Sequence, residues 1–114
     1  MSEIVLVCGG RDHGNYGGLC DVLDRTEADC IVHCGESGAE CMAGLWAENN
    51  RKPVFVFNAH SHYDDKMSGF ISNARILEYI KVTRVVAFPG GRGTENMVKL
   101  AREAGIPVTI WTDD

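Results

Sequence analysis

The sequence predicts one α/β domain of three layers, a five-stranded parallel sheet with helices on both faces. Five short apolar runs lie along the 114 residues, and four stretches with helical spacing of apolar residues alternate with them. The connections are short, and right-handed crossovers between consecutive apolar strands produce a parallel sheet. A chain of 114 residues is long enough for one core and too short for two, so we expect residues 1–114 to form a single domain.

The chain opens with a strand, a glycine loop and a helix. Glu3–Cys8 is a continuous apolar run, typical of the centre of a parallel sheet. Five glycines fall within the next ten residues, Gly9–Gly18, and a helical face starts at Leu19. Arg11 could bind a phosphate as a planar fork, and Asp12 could accept hydrogen bonds from a ribose. The alternative for the pair is an exposed ion pair within the loop.

The second unit repeats this plan. Asp29–Cys34 is predicted as a strand, and the glycine-flanked turn Gly35–Gly38 follows it. Apolar residues at i, i+3, i+4 and i+7 then predict a helix over Ala39–Trp46, packed on the sheet. Ser37 is best interpreted as the helix cap, whereas Glu36 could serve a ligand or a cap.

A third strand is predicted at Pro53–Phe57, followed by the least regular part of the chain. Four residues there could form a metal cluster or an acid–base pair, although solvated loop residues are the favoured interpretation: His60, His62, Asp64 and Asp65. A helix is predicted from Phe70 to about Ile80. Asn73 and Arg75 lie in its first turns, from which they could reach the edge of the sheet.

The fourth unit carries the strongest local signal. Val85–Phe88 predicts a strand buried on both faces, Pro89 ends it, and a glycine turn, Gly90–Gly93, leads into a helix for which Thr94 is the expected N-cap. Such a turn presents free N–H groups and the positive end of a helix dipole, which favours phosphate. The alternative is a tight turn without a ligand. A helix ended by Gly105 and a last strand, Pro107–Trp111, complete the chain.

The glycine loops after the first, second and fourth strands are expected at the same edge, because parallel strands share their carboxyl ends. Neither the Walker pattern nor the dinucleotide G-x-G-x-x-G pattern is present. We therefore expect a phosphate-bearing small molecule, without cofactor or metal, and a local basic pocket of Arg11, Arg75 and Arg92 would be compatible with the negative net charge. The expected ligand-binding residues are Gly9, Gly10, Arg11, Asp12, Gly35, Glu36, Ser37, Gly38, Asn73, Pro89, Gly90, Gly91, Arg92, Gly93 and Thr94.

Composition, charge and sequence patterns argue against nucleic-acid-binding, membrane, secreted and metal-binding classes of protein. A net charge of −5 argues against sequence-independent nucleic-acid binding. No apolar run reaches membrane-spanning length, and the N-terminus lacks a signal-peptide pattern, so we expect a cytoplasmic protein. The five cysteines fit free thiols in a reducing compartment. Cys30, His33 and Cys34 could suggest zinc, but a strand points His33 away from the two cysteines.

Four segments resemble a known family: Val7–Asp12, Gly35–Glu40 with Trp46–Ala47, Ala87–Thr94 and the ending Ala101–Val108. They are similar to the YspA/cpYpsA-related group of the SLOG superfamily of Rossmann-like nucleotide-binding proteins. The resemblance implies a Rossmann-like fold, a nucleotide-type ligand, a homo-oligomer (dimer or tetramer) and a phage or plasmid origin. Relatives include the LOG phosphoribohydrolases, the DNA-processing protein DprA and sensors of ADP-ribose-derived signals.

Departures from the pattern shape the functional hypothesis. The hydrolases carry a catalytic Glu where this chain has Met97, and Glu95 lies on another side of the helix turn. Relatives usually have Arg-Asn where this chain has Ser72-Asn73, and Gly-Ala-Asp where it has Gly38-Ala39-Glu40. We therefore favour a binding protein, a sensor or sequestering module. The alternative is a nucleoside 5′-monophosphate phosphoribohydrolase that uses Glu36 or Asp12 as its acid.

Overall fold

The computed structural model describes residues 2–35, 38–57 and 73–112. These residues form five strands and four helices, of which the third helix is described over 73–79. In chain order the elements are β1 (Ile4–Cys8), α1 (Tyr16–Thr26), β2 (Cys30–His33), α2 (Ala39–Asn49), β3 (Val54–Val56), α3 (residues 73–79), β4 (Arg84–Ala87), α4 (Arg92–Glu103) and β5 (Val108–Ile110).

All strands are parallel, and their order in the sheet is β3-β2-β1-β4-β5. Val7 is paired with Val86 of β4, and Leu6 is paired with both Val32 of β2 and Val85 of β4, so β1 lies at the centre. The chain moves outward from β1 to β3 and then returns to place β4 on the other side of β1. The strand order therefore reverses between β1 and β4, where ligands of open parallel sheets bind.

The helices cover both faces of the sheet, as predicted. Side chains of α1 and α2, including Leu19, Leu23 and Trp46, pack on one face. The other face is covered by α3 and α4, whose Ile76 and Met97 lie in a second apolar cluster. Each fully buried aliphatic side chain of this kind contributes about 1.5–3 kcal/mol to folding. The prediction of a three-layer α/β/α domain with a five-stranded parallel sheet is confirmed.

Helix α1 begins three residues earlier than its apolar spacing predicted. The Asn15 side chain caps it, because Asn15 Oδ1 accepts a 2.8 Å hydrogen bond from the N–H of Gly18. Glycine is also required at position 18, where a Cβ would lie 2.8 Å from Cζ2 of Trp111. Residues 16–18 are thus helical, and the loop after β1 is correspondingly shorter.

The expected cap of α4 was wrong. The helix begins at Arg92 with Gly91 in the N-cap position, so Thr94 lies in the first turn, and Gly91 makes no side-chain capping bond. Helix α2 is similarly preceded by Gly38 as its N-cap, while Ser37 lies outside the described residues. Both helices therefore start from a glycine that leaves their first N–H groups to other partners.

Strand β3 differs from the other strands in its exposure. It lies at the edge of the sheet, and Phe55 and Val56 are 52% and 49% exposed. In the described ranges, no helix combines the length and the apolar character needed to cross a bilayer.

Candidate functional site

The loops after β1 and β4 touch each other where the strand order reverses. The N–H of Gly10 donates to the carbonyl oxygen of Pro89 at 2.8 Å, and the N–H of Phe88 donates to that of Cys8 at 2.9 Å. A Cβ on Gly10 would lie 2.7 Å from Pro89 O, and one on Gly90 would lie 2.8 Å from Gly10 N. Glycine at both positions is required by this close approach of two backbones.

A cleft of about 680 Å³ opens between these two loops, and we call it the switch-point cleft. It is lined by Gly10, Arg11, Asp12, His13, Gly14, Asn15, Pro89, Gly90, Gly91 and Trp111. Both Arg11 and Asp12 are exposed. The structure thus brings six of the predicted ligand-binding residues of the first and fourth loops to one cavity.

The loop after β2 reaches the same edge by packing against the loop after β1. Gly38 has φ +77°, and a Cβ there would lie 2.6 Å from the carbonyl oxygen of Arg11. The N–H of Ala39 donates to the carbonyl oxygen of Gly10 at 3.3 Å. The first N–H of α2 is therefore used within the protein.

Of the helices whose first turns are described, α1, α2 and α4 begin at this edge, and their first N–H groups have different partners. The side chain of Asn15 caps α1, and the carbonyl oxygen of Gly10 accepts from the start of α2. In α4 the first intrahelical bond runs from Glu95 N to Gly91 O at 3.1 Å, so the N–H groups of residues 92–94 precede it. Among the described helices, α4 offers the N-terminus best suited to an anion.

Glycine at the start of α4 is not explained by packing. A Cβ on Gly91 or on Gly93 would have no heavy atom within 4 Å, in contrast to Gly10 and Gly90. Gly91 has φ −93° and ψ −148°, so its φ is not in the left-handed region, and Gly93 lies within the helix. Glycine within a helix costs about 1 kcal/mol relative to alanine. The open space leaves room for a ligand to approach the backbone closely.

Three aromatic side chains, none of them among the predicted site residues, pack together beside the cleft, and two of them, His13 and Trp111, line it. His13 lies 4.9 Å from Phe88 and 5.0 Å from Trp111 between ring centroids. His13 Nε2 lies 3.2 Å from the carbonyl oxygen of Asn15, which can only accept, so Nε2–H is the donor of this hydrogen bond. The position of Trp111 directly after the last strand was an available signal, whereas His13 offered none beyond its glycine-rich loop.

The remaining predicted site residues are spread more widely. Asn73 is buried, and its Nδ2 donates to Gly93 O at 2.9 Å and to Asn96 Oδ1 at 3.0 Å, which ties α3 to the first turn of α4. Arg92 is exposed at the first position of α4, and Gly35 has φ +84°. Six predicted residues lie outside the described ones: Glu36, Ser37, His60, His62, Asp64 and Asp65.

Buried polar groups stabilise the end of β2. Glu40 Oε1 accepts a 2.6 Å hydrogen bond from Cys34 N, a role that the sequence pattern did not reveal. Burial, with contributions from the charges of Glu40 and Cys34, raises the pKa of the Cys8 thiol to about 12. Burial also lowers the pKa of His33, whose Nδ1 accepts from Gly35 N at 2.9 Å. No group of three or more His, Cys, Asp or Glu suited to a metal is found among the described residues.

Comparison with solved structures supports the fold class. A crystal structure of MurG from Acinetobacter baumannii matches 95% of this chain with a TM-score of 0.54 at 16% identity, and this chain spans about a third (34%) of MurG. The C-terminal domain of a hydrogenase from Pyrococcus furiosus matches 96% of this chain and 92% of its own length, with a TM-score of 0.51 at 13% identity. At these identities the similarity shows a Rossmann-like fold alone.

Sequence comparison identifies the family. The model of the YspA, cpYpsA-related SLOG family (YAcAr) matches residues 3–62. The Gene 61 protein of Mycobacterium phage D29 is 32% identical over 108 residues, which cover 86% of this chain and 84% of the phage protein. The chain belongs to the YspA, cpYpsA-related SLOG family and has a phage homologue. The resemblance noted in the sequence is confirmed.

Proposed function

We propose that this protein binds a nucleotide or nucleotide-derived signalling molecule, of the ADP-ribose type or similar, in the switch-point cleft. The ligand's phosphate lies at the N-terminus of α4, and the protein acts in the cytoplasm as a phage-encoded sensor or sequestering module. The single observation that carries the proposal is the open space at Gly91 and Gly93. No described side chain crowds these two positions, so a phosphate that approached the helix would meet bare backbone there.

The electrostatics of the cleft support this placement. The N–H groups of residues 92–94 precede the first intrahelical bond of α4, and the helix dipole adds positive potential there. Arg11 lines the same cleft. The net charge of −5 makes this a local attraction, which favours a small anion over a polymeric one such as DNA.

The alternative is a phosphoribohydrolase that cleaves the N-glycosidic bond of a nucleoside monophosphate. The observation in its favour is the exposed carboxylate of Asp12, which lines the switch-point cleft. Against it, Met97 is 1% exposed within the α3–α4 core, so the position of the hydrolases' catalytic Glu is apolar and faces away from solvent. Binding without turnover is therefore the better-supported function.

The test begins with mass spectrometry of small molecules released when the purified protein is denatured. Thermal unfolding is then measured with inorganic phosphate, AMP, ADP-ribose, NAD and cyclic dinucleotides. A ligand at 100-fold over its Kd stabilises the fold by about 2.7 kcal/mol. Stabilisation with the ligand recovered intact supports binding. Release of free base that stops in Asp12→Asn supports the hydrolase, and no shift with any phosphate compound overturns both.

We also propose that the protein forms a homodimer or tetramer. Exposed apolar side chains on β3, including Phe55 and Val56, provide a surface that association would cover. Light scattering coupled to gel filtration measures the mass directly. A monomer at tens of micromolar would contradict this proposal and leave the ligand proposal intact.

A further inference from the structure

A second cleft, of about 750 Å³, lies between α4 and the end of β5, and we call it the α4–β5 cleft. Its floor is apolar and includes Val98, Ile110 and Trp111. Ile110 is 51% exposed although it belongs to a strand. An exposed aliphatic side chain that lines an apolar cleft provides a surface that an apolar group of a ligand can cover.

This cleft adjoins the switch-point cleft. Pro89, Gly90 and Trp111 line both cavities. Thr94, in the first turn of α4, and Val98, one turn later, both line the α4–β5 cleft. Helix α4 begins at Arg92, so Val98 lies about 9 Å along the axis from the helix N-terminus, a distance that a nucleotide extended along the helix spans.

On the side of the switch-point cleft that faces β2, packed backbone blocks the path of a ligand in the described part of the chain. Gly38 lies against the carbonyl group of Arg11, and Ala39 N donates to Gly10 O. A ligand anchored at α4 therefore has its open path towards β5, away from β2.

The polar side chains around the α4–β5 cleft suit an aromatic ring that carries hydrogen-bonding groups on its edge. Lys99 and Arg102 supply donors, and Glu95 and Glu103 supply acceptors, around the apolar floor. A heteroaromatic base has apolar faces and a mixed donor–acceptor edge.

We infer that the α4–β5 cleft binds the aromatic base of the nucleotide whose phosphate lies at the N-terminus of α4. This inference rests on the proposed function and specifies which part of the ligand each cleft recognises. The base contacts Ile110 and Val98, and the sugar passes Pro89 and Gly90. A sugar phosphate that lacks a base fills the switch-point cleft alone.

Calorimetric titration with AMP, GMP and ribose 5-phosphate tests the inference. The better of the two nucleotides should bind on the order of tenfold or more tightly than ribose 5-phosphate. Ile110→Asn should reduce that advantage to less than threefold and leave the affinity for ribose 5-phosphate unchanged. Leu45→Asn is the matched control, because Leu45 is 47% exposed on α2 and lines neither cleft, and it should change neither affinity.

A crystal of the complex with 8-bromo-AMP provides a readout independent of the variants. An anomalous bromine peak in the α4–β5 cleft supports the inference, and a peak towards β2 overturns it. Equal affinities for nucleotide and ribose 5-phosphate, or an unchanged advantage in Ile110→Asn, also overturn it while the proposed function stands. If no phosphate compound binds the wild-type protein, the proposed function fails and the inference fails with it.

Discussion

The backbone N–H of Gly10 donates a 2.8 Å hydrogen bond to the carbonyl oxygen of Pro89. This bond joins the loops that follow β1 and β4, the two strands between which the order of the sheet reverses. It fixes the N-terminus of α4 relative to the loop that carries Arg11 and Asp12. The candidate site is therefore held by backbone contacts, which a side chain at either glycine would disrupt.

Gly10→Ala should destabilise the fold by about 1–3 kcal/mol, because the new methyl group would lie 2.7 Å from Pro89 O and 3.2 Å from Gly90 Cα. Urea denaturation measures the change. Gly14→Ala is the control in the same loop, since a Cβ there has no heavy atom within 4 Å. Equal stability of the two variants would show that the two loops are not in contact as described.

Asn15→Ala should reduce the stability of the protein by about 1 kcal/mol, because it removes the acceptor for the N–H of Gly18 at the start of α1. Asn15→Asp retains an acceptor and should restore most of the loss. Chemical denaturation of the three proteins provides the comparison. An alanine variant as stable as the wild type would place the start of α1 elsewhere.

Burial lowers the pKa of His33 below its ordinary value of 6.5. As the pH falls through 6.5 the unfolded chain takes up a proton at this residue and the folded chain does not, so folding stability decreases from that pH down to the lowered pKa. His33→Asn should flatten the dependence of the unfolding free energy on pH between 7 and 5. Parallel pH profiles for wild type and variant would contradict the assignment.

The Cys8 thiol should resist alkylation in the folded protein. Burial raises its pKa to about 12, which leaves a thiolate fraction of about one in ten thousand at pH 8. Cys41 is exposed and should react first with iodoacetamide, as read by peptide mass spectrometry over time. Unfolding in urea should release Cys8 to react. Labelling of native Cys8 at the rate of Cys41 would be inconsistent with the buried position.

Much of the fold could be predicted because its signals are local. Continuous apolar runs such as Glu3–Cys8 indicated strands that the structure places at Ile4–Cys8 and in the centre of the sheet. The helical spacing from Ala39 to Trp46 marked the face of α2 that packs on the sheet. The apolar character of Pro53–Phe57 could not reveal that β3 is an exposed edge, because exposure depends on which strands are neighbours.

The parts that were missed depend on contacts between distant residues. Gly17 and Gly18 are poor helix formers, so the spacing of apolar residues alone placed the start of α1 too late. The Asn15 cap and the packing of Trp111 over Gly18 determine where the helix begins. Thr94 has the chemistry of an N-cap, but α4 begins at Arg92, two residues earlier. His13 lies in the loop after β1 and Trp111 directly follows β5, so their ring contact joins segments that are far apart in the sequence. No local sequence pattern predicts such a contact.

The central claim is that a phosphate lies at the N-terminus of α4, and paired substitutions at Gly91 test it most directly. Gly91→Ser and Gly91→Asp both place a capping side chain in open space, so both should maintain or raise the stability of the ligand-free protein by a few tenths of a kcal/mol.

The measurement is the affinity of both variants for the nucleotide that binds the wild type best. Only the aspartate adds a negative charge beside the N–H groups of residues 92–94. We predict that Gly91→Asp loses at least tenfold more affinity than Gly91→Ser while both remain folded. Equal affinities in the two variants would contradict a phosphate at this helix.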